Sequence, residues 1–497
     1  MLTNNNWSKP QFDFFRVGVL AFAIFLVWVI IIGTPWGLGL SPDALVYAGG
    51  ARAVAETGDF MQLPTKFPPL YPMLLAFAQL LANDFYLGAR LLQAMFMGVN
   101  IILIAMLLKK TERPLVIIAA LLILIALQPS FINVHLMLQS EPAFLSFALL
   151  DLLIVENLCR RGASLGLLLL LGLTAGAAIM VRYAGMFLLA VNIIALLFLV
   201  RSKRSVAISN AVWVSVAAFI PISVWALFNI ARSGNPTSRV LQWHPLDKQH
   251  FEQAVITIGE WFHLSATPGL AVILISAIAV WALRPNKSDF GSESRSLARL
   301  LAIYYFAYLT FLALSISLMD FSTPLDKRIL FPLMPIIPIF LVDATKGITR
   351  YHLPLLVVGA VVTGLALNLP VSYSFWRQSR GNGVGFAYKQ IQSMPIISTL
   401  RQMPEQMRIS TNSVEIFQLY LKQKAVSLPW RFDPPSQKFN SDYAAELQRL
   451  PLETDAVVYF SIIDWRDYLP DRDKLSEIKD LRKIYDQPDG AIWVRAQ

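Results

Sequence analysis

Residues 68–82 read PPLYPMLLAFAQLLA, and the placement of this stretch decides the topology of everything after it. A spanning helix needs about 20 mostly apolar residues. This run is shorter, opens on Pro68-Pro69 and stops at Asn83-Asp84. Short apolar runs of this kind more often lie in the interface or re-enter it than cross it. Counted as a span, it inverts every later loop. Placed in the outer interface, it leaves eleven runs of near-spanning length, at 16–33, 86–108, 114–131, 142–159, 164–182, 184–200, 206–229, 266–284, 298–319, 328–345 and 352–371.

The basic loops support that placement. Lys109, Lys110 and Arg113 follow the second run, Arg160 and Arg161 the fourth, and Arg201, Lys203 and Arg204 the sixth. Arg284, Lys287, Arg295 and Arg299 lie between the eighth and ninth, and Lys346 and Arg350 follow the tenth. With residues 68–82 unspanning, all of these share one side with the N-terminus. The positive-inside rule makes that side the cytoplasm. An odd number of spans then puts the C-terminus outside. The first apolar stretch, Val17–Ile32, follows Lys9 and Arg16 and lacks a small-residue cleavage site, so it reads as a retained signal anchor.

Composition agrees. The chain has 497 residues, 56% hydrophobic and 15% charged, with a mean hydropathy of +0.55. That is the profile of a polytopic membrane protein. The net charge of +10 sits largely in the short loops, so it sets orientation and does not point to nucleic acid. A single cysteine, Cys159, rules out an internal disulfide and a cysteine-rich metal site.

From about residue 372 charged residues become frequent and no spanning run remains. Short strands are expected at 408–411, 425–428 and 456–461, with helices at 414–423, 442–450 and 473–481 and a closing hairpin around Pro488-Asp489-Gly490. The expected fold class is therefore an α-helical polytopic bundle of about eleven spans followed by a small α/β domain. We divide the chain into a transmembrane part, 1–371, and an outer domain, 372–497.

Two acids stand in the polar gaps of the outer side, Asp43 and Glu141. An acid at the water–lipid boundary is costly unless it is paired, hydrated or used. Both also stand at helix starts, where an acid serves as a cap. Tyr47 follows Asp43, and Lys66 precedes Phe67-Pro68-Pro69. A lysine there suits a lipid phosphate, or simply snorkels. On the same side lie His135, the Arg182-Tyr183 hairpin, Arg239, Trp243 and His244, and the segment Asp326-Lys327-Arg328. Arg328 has two readings, an ion pair with Asp326 or a planar fork for phosphate. Trp243 reads as aromatic belt. Taken singly these signals are weak, and their common side is what joins them. A transport relay places its acids near mid-span, whereas these cluster at helix ends.

In this order the residues resemble a GT-C glycosyltransferase, within the family of lipid A aminoarabinose transferases and dolichyl-phosphate-mannose protein mannosyltransferases. The resemblance rests on Asp43 with Tyr47, on Lys66 to Tyr71 (Lys-x-Pro-Pro-Leu-Tyr), on Ser140-Glu141-Pro142, on Arg182 to Gly185 and on Asp326 to Arg328. It covers about residues 15–345. Two departures stand out. The second acid is Glu141 where many relatives carry Asp, and Thr65 stands where aminoarabinose transferases carry a metal-binding Glu.

The resemblance implies an integral membrane enzyme of the plasma (inner) membrane, with its site facing the extracytoplasmic side. The donor is a polyprenyl-phosphate sugar and the acceptor a lipid, glycan or protein, with inversion at the anomeric carbon. The expected cytoplasmic loops are too short for a nucleotide-binding domain, which agrees with a lipid-linked donor. Asp43 is then the candidate base, and Glu141 orients it or the acceptor. Close approach of two carboxylates raises one pKa, which suits a base. Lys66, Arg328 and Arg182 are candidates for the donor phosphate. Tyr47, Tyr71, Tyr183, His244 and Asp326 are candidate substrate contacts. No cofactor is assigned, and a divalent metal through His244 and Glu141 is left open. The alternatives are a lipid or polysaccharide transporter and a lipid-linked oligosaccharide polymerase or ligase.

Overall fold

The computed structural model describes residues 14–200, 202–239, 241–284, 296–345, 353–421 and 423–496, with the side chains of 296 and 353–357 left out. Lys9, Arg201, Lys287, Arg295, Lys346 and Arg350 of the expected basic loops lie outside the described residues.

All eleven apolar runs are helical. Six belong to helices long and apolar enough to cross a membrane: α1 (Phe14–Gly33), α4 (Phe85–Lys110), α7 (Glu141–Arg161), α10 (Arg204–Ser233), α13 (Ser296–Leu318) and α15 (Leu353–Asn382). The run expected as one span at 114–131 is two helices, α5 (Leu115–Ala126) and α6 (Pro129–Leu136), bent by 52°. Pro129 explains the break, since it lacks the N–H an interior turn needs and suits a helix's first position. Gln128 caps α6 with its side-chain oxygen. The remaining four runs form shorter apolar helices: α8 (Leu165–Val181), α9 (Met186–Phe198), α12 (Pro268–Leu283) and α14 (Ile336–Ala344).

The opening stretch becomes α3 (Leu70–Ala82), and a further helix, α2 (Pro42–Thr57), precedes it. At about 1.5 Å per residue α3 is roughly 20 Å long, short of a hydrocarbon core of about 30 Å. It packs on α2 and α4. A helix not expected between the seventh and eighth runs is α11 (Lys248–Trp261), capped by Asp247.

After α15 comes a five-stranded sheet of order β2-β1-β5-β7-β6, made of β1 (Ile409–Thr411), β2 (Ala425–Ser427), β5 (Ala456–Phe460), β6 (Leu481–Gln487) and β7 (Gly490–Arg495). β1 runs parallel to β2 and β5, and β7 runs antiparallel to β5 and β6. β5, Ala-Val-Val-Tyr-Phe, is buried throughout, as a central strand covered on both faces should be. A separate small hairpin pairs β3 (Phe432–Asp433) with β4 (Lys438–Phe439).

One short segment ties these parts together and positions the site. Gly39 pairs with Met137 and Leu40 with Gly385, each as an isolated bridge. The Leu40 carbonyl accepts from Phe386 N at 2.9 Å, and Gly39 O accepts from Leu138 N at 2.8 Å. Gly385 has φ +59°, and a Cβ there would stand 2.1 Å from Leu40 O, so only glycine fits. The chain that enters α2 is thus clamped between the gap before α7 and the linker to the sheet.

Candidate active site

Four charged side chains from distant parts of the sequence meet at one end of the bundle. Asp43 lies in the first turn of α2, behind the Ser41 cap and Pro42. The Ser41 hydroxyl accepts from Ala44 N, so capping does not explain Asp43. Glu141 opens α7, and Arg182 ends α8. Arg328 follows Asp326, whose Oδ1 accepts from the amides of Arg328 and Ile329, each at 2.9 Å. That turn is held further by Tyr308, whose hydroxyl donates to Ile329 O at 2.5 Å.

Arg328 Nη1 donates to Asp43 Oδ2 at 2.9 Å. Its Nε lies 3.4 Å from Glu141 Oε1, and Arg182 Nη1 lies 2.6 Å from the same oxygen. The last two are charge contacts rather than aligned hydrogen bonds. Arg182 Nη1 also donates to Ser140 Oγ at 3.1 Å. The order is Asp43, Arg328, Glu141, Arg182: two acids and two bases, alternating. The Glu141 side chain is 3% exposed, whereas that of Asp43 is 37% exposed. A carboxylate as buried as Glu141 costs several kcal/mol unless paired, and two guanidiniums pair it. Both helix N-termini add positive potential at the acids.

Burial by itself would lower the pKa of Arg182, but the Glu141 carboxylate together with Tyr47 and Tyr308 raises the net value. Arg328 is raised likewise, with burial opposed by Glu141, Asp43 and Asp326. The Tyr47 hydroxyl is pushed well above its ordinary range, first by burial and then by Asp43. It stays neutral, so it is no base.

Asp43 and Arg328 open onto a cavity of about 960 Å³. Its other walls come from α6 (Ser130, Asn133), one face of α11, the 324–328 turn and Trp465 beyond β5. Lys327 pairs with Glu260 of α11 at 2.6 Å across this wall.

The other expected residues divide. Tyr47 is buried beside the cluster and meets Tyr71 edge to face at 5.3 Å. Tyr71 is fully buried and donates to Gln93, so it is core. Lys66 is exposed, on a segment whose Leu63 and Thr65 carbonyls accept from Arg232 and Asn229. It makes none of the four-residue cluster's contacts. Tyr183 OH accepts from Trp225 Nε1 at 3.2 Å, with the Arg239 guanidinium 5.9 Å from its ring. His135 is structural: Nδ1 donates to Phe131 O at 2.7 Å and Nε2 accepts from Asn100 at 3.2 Å. His244 and Glu141 do not fit a shared metal. Two guanidiniums occupy Glu141, while His244 lies against Phe321 with ring centroids 5.6 Å apart. Among the described residues, no group of three His, Cys, Asp or Glu side chains is placed to hold a metal ion.

Residues 66–228 match the family model of dolichyl-phosphate-mannose-protein mannosyltransferases. The whole architecture matches the aminoarabinose transferase ArnT from Cupriavidus metallidurans in the apo state, at a TM-score of 0.63 and 13% identity over 97% of both chains. The fold is that of the GT-C glycosyltransferases. The ArnT structure bound to undecaprenyl phosphate matches this chain at a TM-score of 0.60 and 11% identity, over 96% of this chain and 97% of that one. The oligosaccharyltransferase AglB from Archaeoglobus fulgidus, in complex with an inhibitory peptide and a dolichol-phosphate, matches at 0.53 and 12% identity, over 90% and 70%. No curated protein matches by sequence.

Proposed function

We propose that this chain is an integral membrane glycosyltransferase that moves a sugar from a polyprenyl-phosphate donor to an acceptor hydroxyl or amine on the extracytoplasmic face. The observation that carries this reading is the alternating Asp43–Arg328–Glu141–Arg182 cluster opening onto a large cavity. The related folds that hold undecaprenyl phosphate or dolichol-phosphate support the donor class.

The acceptor O–H gives its proton to the Asp43 carboxylate as its oxygen attacks the anomeric carbon. The bond from that carbon to the phosphate oxygen breaks, and polyprenyl phosphate leaves with the electron pair. Displacement from the opposite face inverts the anomeric centre. Arg328 and Arg182 stabilise the charge growing on the phosphate. Glu141 holds both guanidiniums in place before the donor arrives, so little reorganisation is left for the reaction. Lys66, exposed and outside the cluster, adds a further cation for the phosphate. The enzyme sits in the plasma (inner) membrane with its N-terminus in the cytoplasm and residues 372–497 outside.

The test is to incubate the purified chain with a panel of polyprenyl-phosphate sugars and follow donor loss by mass spectrometry. Release of free polyprenyl phosphate from at least one donor is expected. Intact donors throughout, with a folded protein, would overturn the reading.

A further inference from the structure

One wall of the cavity has a chemistry of its own. Trp465 belongs to the sheet-containing part, lines the cavity and is 59% exposed. It is presented rigidly. Its neighbour Arg466, with a side chain 8% exposed, pairs with Glu415 at 2.6 Å and donates to Asn412 O at 2.8 Å. The Arg466 guanidinium stands 5.0 Å from the Trp465 ring centroid. Asn412 in turn holds the loop by donating to Phe460 O and Ile463 O. Facing the same cavity, α11 offers Gln249, Glu252, Gln253 and Glu260, spaced to share one helix face. Gln139, 7% exposed and two residues before Glu141, lines the cavity with its Oε1 lacking a hydrogen-bond partner.

An exposed indole at a cavity wall offers a flat apolar face to a guest, and the buried unpaired acceptor of Gln139 calls for a donor. A sugar ring answers both. One face presents polarised C–H bonds that suit the negative face of an aromatic ring. Its rim presents hydroxyls that donate to carboxylates and carboxamides. The lining carries four carboxylates (Asp43, Glu252, Glu260, Asp326) against two cations (Lys327, Arg328), which disfavours an anionic acceptor beside the donor phosphate that Arg328 binds.

We propose that this cavity holds a subsite for an uncharged sugar ring of the acceptor, stacked on Trp465 and hydrogen-bonded by Gln139 and the polar face of α11. The subsite deepens the transferase reading and rests on it, because it makes the acceptor a glycan rather than a peptide or a lipid headgroup.

The probe is a panel of neutral methyl glycosides and short oligosaccharides, with acidic peptides and phospholipid headgroups alongside. Binding to the full chain in detergent is read by saturation-transfer NMR. At least one glycoside should bind, with saturation on the C–H face of one ring. Trp465→Ala should weaken that binding about tenfold or more, as loss of a central aromatic anchor does. Trp465→Phe should retain most of it, and Trp430→Ala, an exposed tryptophan of the same part that does not line the cavity, should leave it unchanged. With a transferable acceptor, the Trp465→Ala loss should fall on the acceptor KM more than on the donor KM. Glycoside binding insensitive to Trp465→Ala, or binding only of peptides or headgroups, overturns the subsite. Donor hydrolysis without Trp465-dependent glycan binding sinks the subsite alone. Trp465-dependent binding without turnover of any donor sinks the transferase reading and leaves a glycan-binding site.

Discussion

The two ends of α7 carry the same ingredients in opposite arrangements. At its C-terminal end Glu156, whose side chain is fully buried, meets Arg160 Nε at 2.5 Å. Arg160 also contacts Glu112 at 3.1 Å and donates to the Lys110 carbonyl at 3.1 Å. One arginine closes on two acids and a carbonyl, and none of these groups lines the large cavity. At the N-terminal end Glu141 is equally buried, but its partner Arg328 reaches on to the half-open Asp43 at the cavity wall. A closed network of buried charges holds helices together. A network that ends at an open carboxylate beside a cavity has a group left to act.

The largest expected effect is all or none. If the ends face opposite compartments, reporter fusions at Lys110 and Arg161 read cytoplasmic, while a tag inserted at Gly58 reads outside. An outside signal at Lys110 or Arg161 breaks the contrast at its root.

Arg328→Ala should lower transfer by about 10²–10³-fold, the range for losing a group that stabilises transition-state charge. Arg328→Lys should stay impaired, because a lysine cannot reach both carboxylates with a planar fork. Steady-state rates on one donor decide this, and parental rates in Arg328→Lys refute the fork. Glu156→Ala at the closed end should behave the other way. It removes one of the two acids on Arg160, which keeps Glu112 and the Lys110 carbonyl, and costs about 1.5–3 kcal/mol, the range for a hydrogen bond to a charged group. The thermal midpoint in a fixed detergent should fall while the rate per folded molecule holds. A rate loss without a fall in midpoint erases the distinction between the ends.

Lys66→Ala should give the smallest change, a rise of less than about tenfold in donor KM with kcat retained, as for an exposed charge that adds binding without shaping the transition state. A loss as deep as that of Arg328→Ala would show that Lys66 joins the cluster when donor binds.

Much of the fold was legible because apolar length and basic loops are local signals. Each of the eleven runs is helical, with 114–131 broken into two helices, and 68–82 is a short helix. The bend at Pro129 is signalled by the proline itself but masked by an apolar run that continues through it. The amphipathic α11 was also readable, since Asp247 caps it and its polar residues recur at helical spacing. β3 and β4, two residues each, are too short to leave a pattern. In the site, the shared side of Asp43, Glu141, Arg182 and Arg328 was legible, but their pairing was not. Arg328 and Asp43 are 285 residues apart, and the nearer partner, Asp326, turned out to hold backbone amides instead. Lys66, grouped by its side of the membrane, stands outside the cluster because its segment is tied to the end of α10.

The central claim is that Asp43 is the open, working end of the charged network. Its most direct test is Asp43→Asn, with transfer, donor affinity and thermal midpoint measured on one preparation. Asn keeps the shape, and the helix keeps its Ser41 cap. The expected result is a loss of about 10²–10⁴-fold in transfer, the usual contribution of a general base, with donor affinity and midpoint near the parent. Near-parental transfer by Asp43→Asn would contradict the claim and move the base to Glu141.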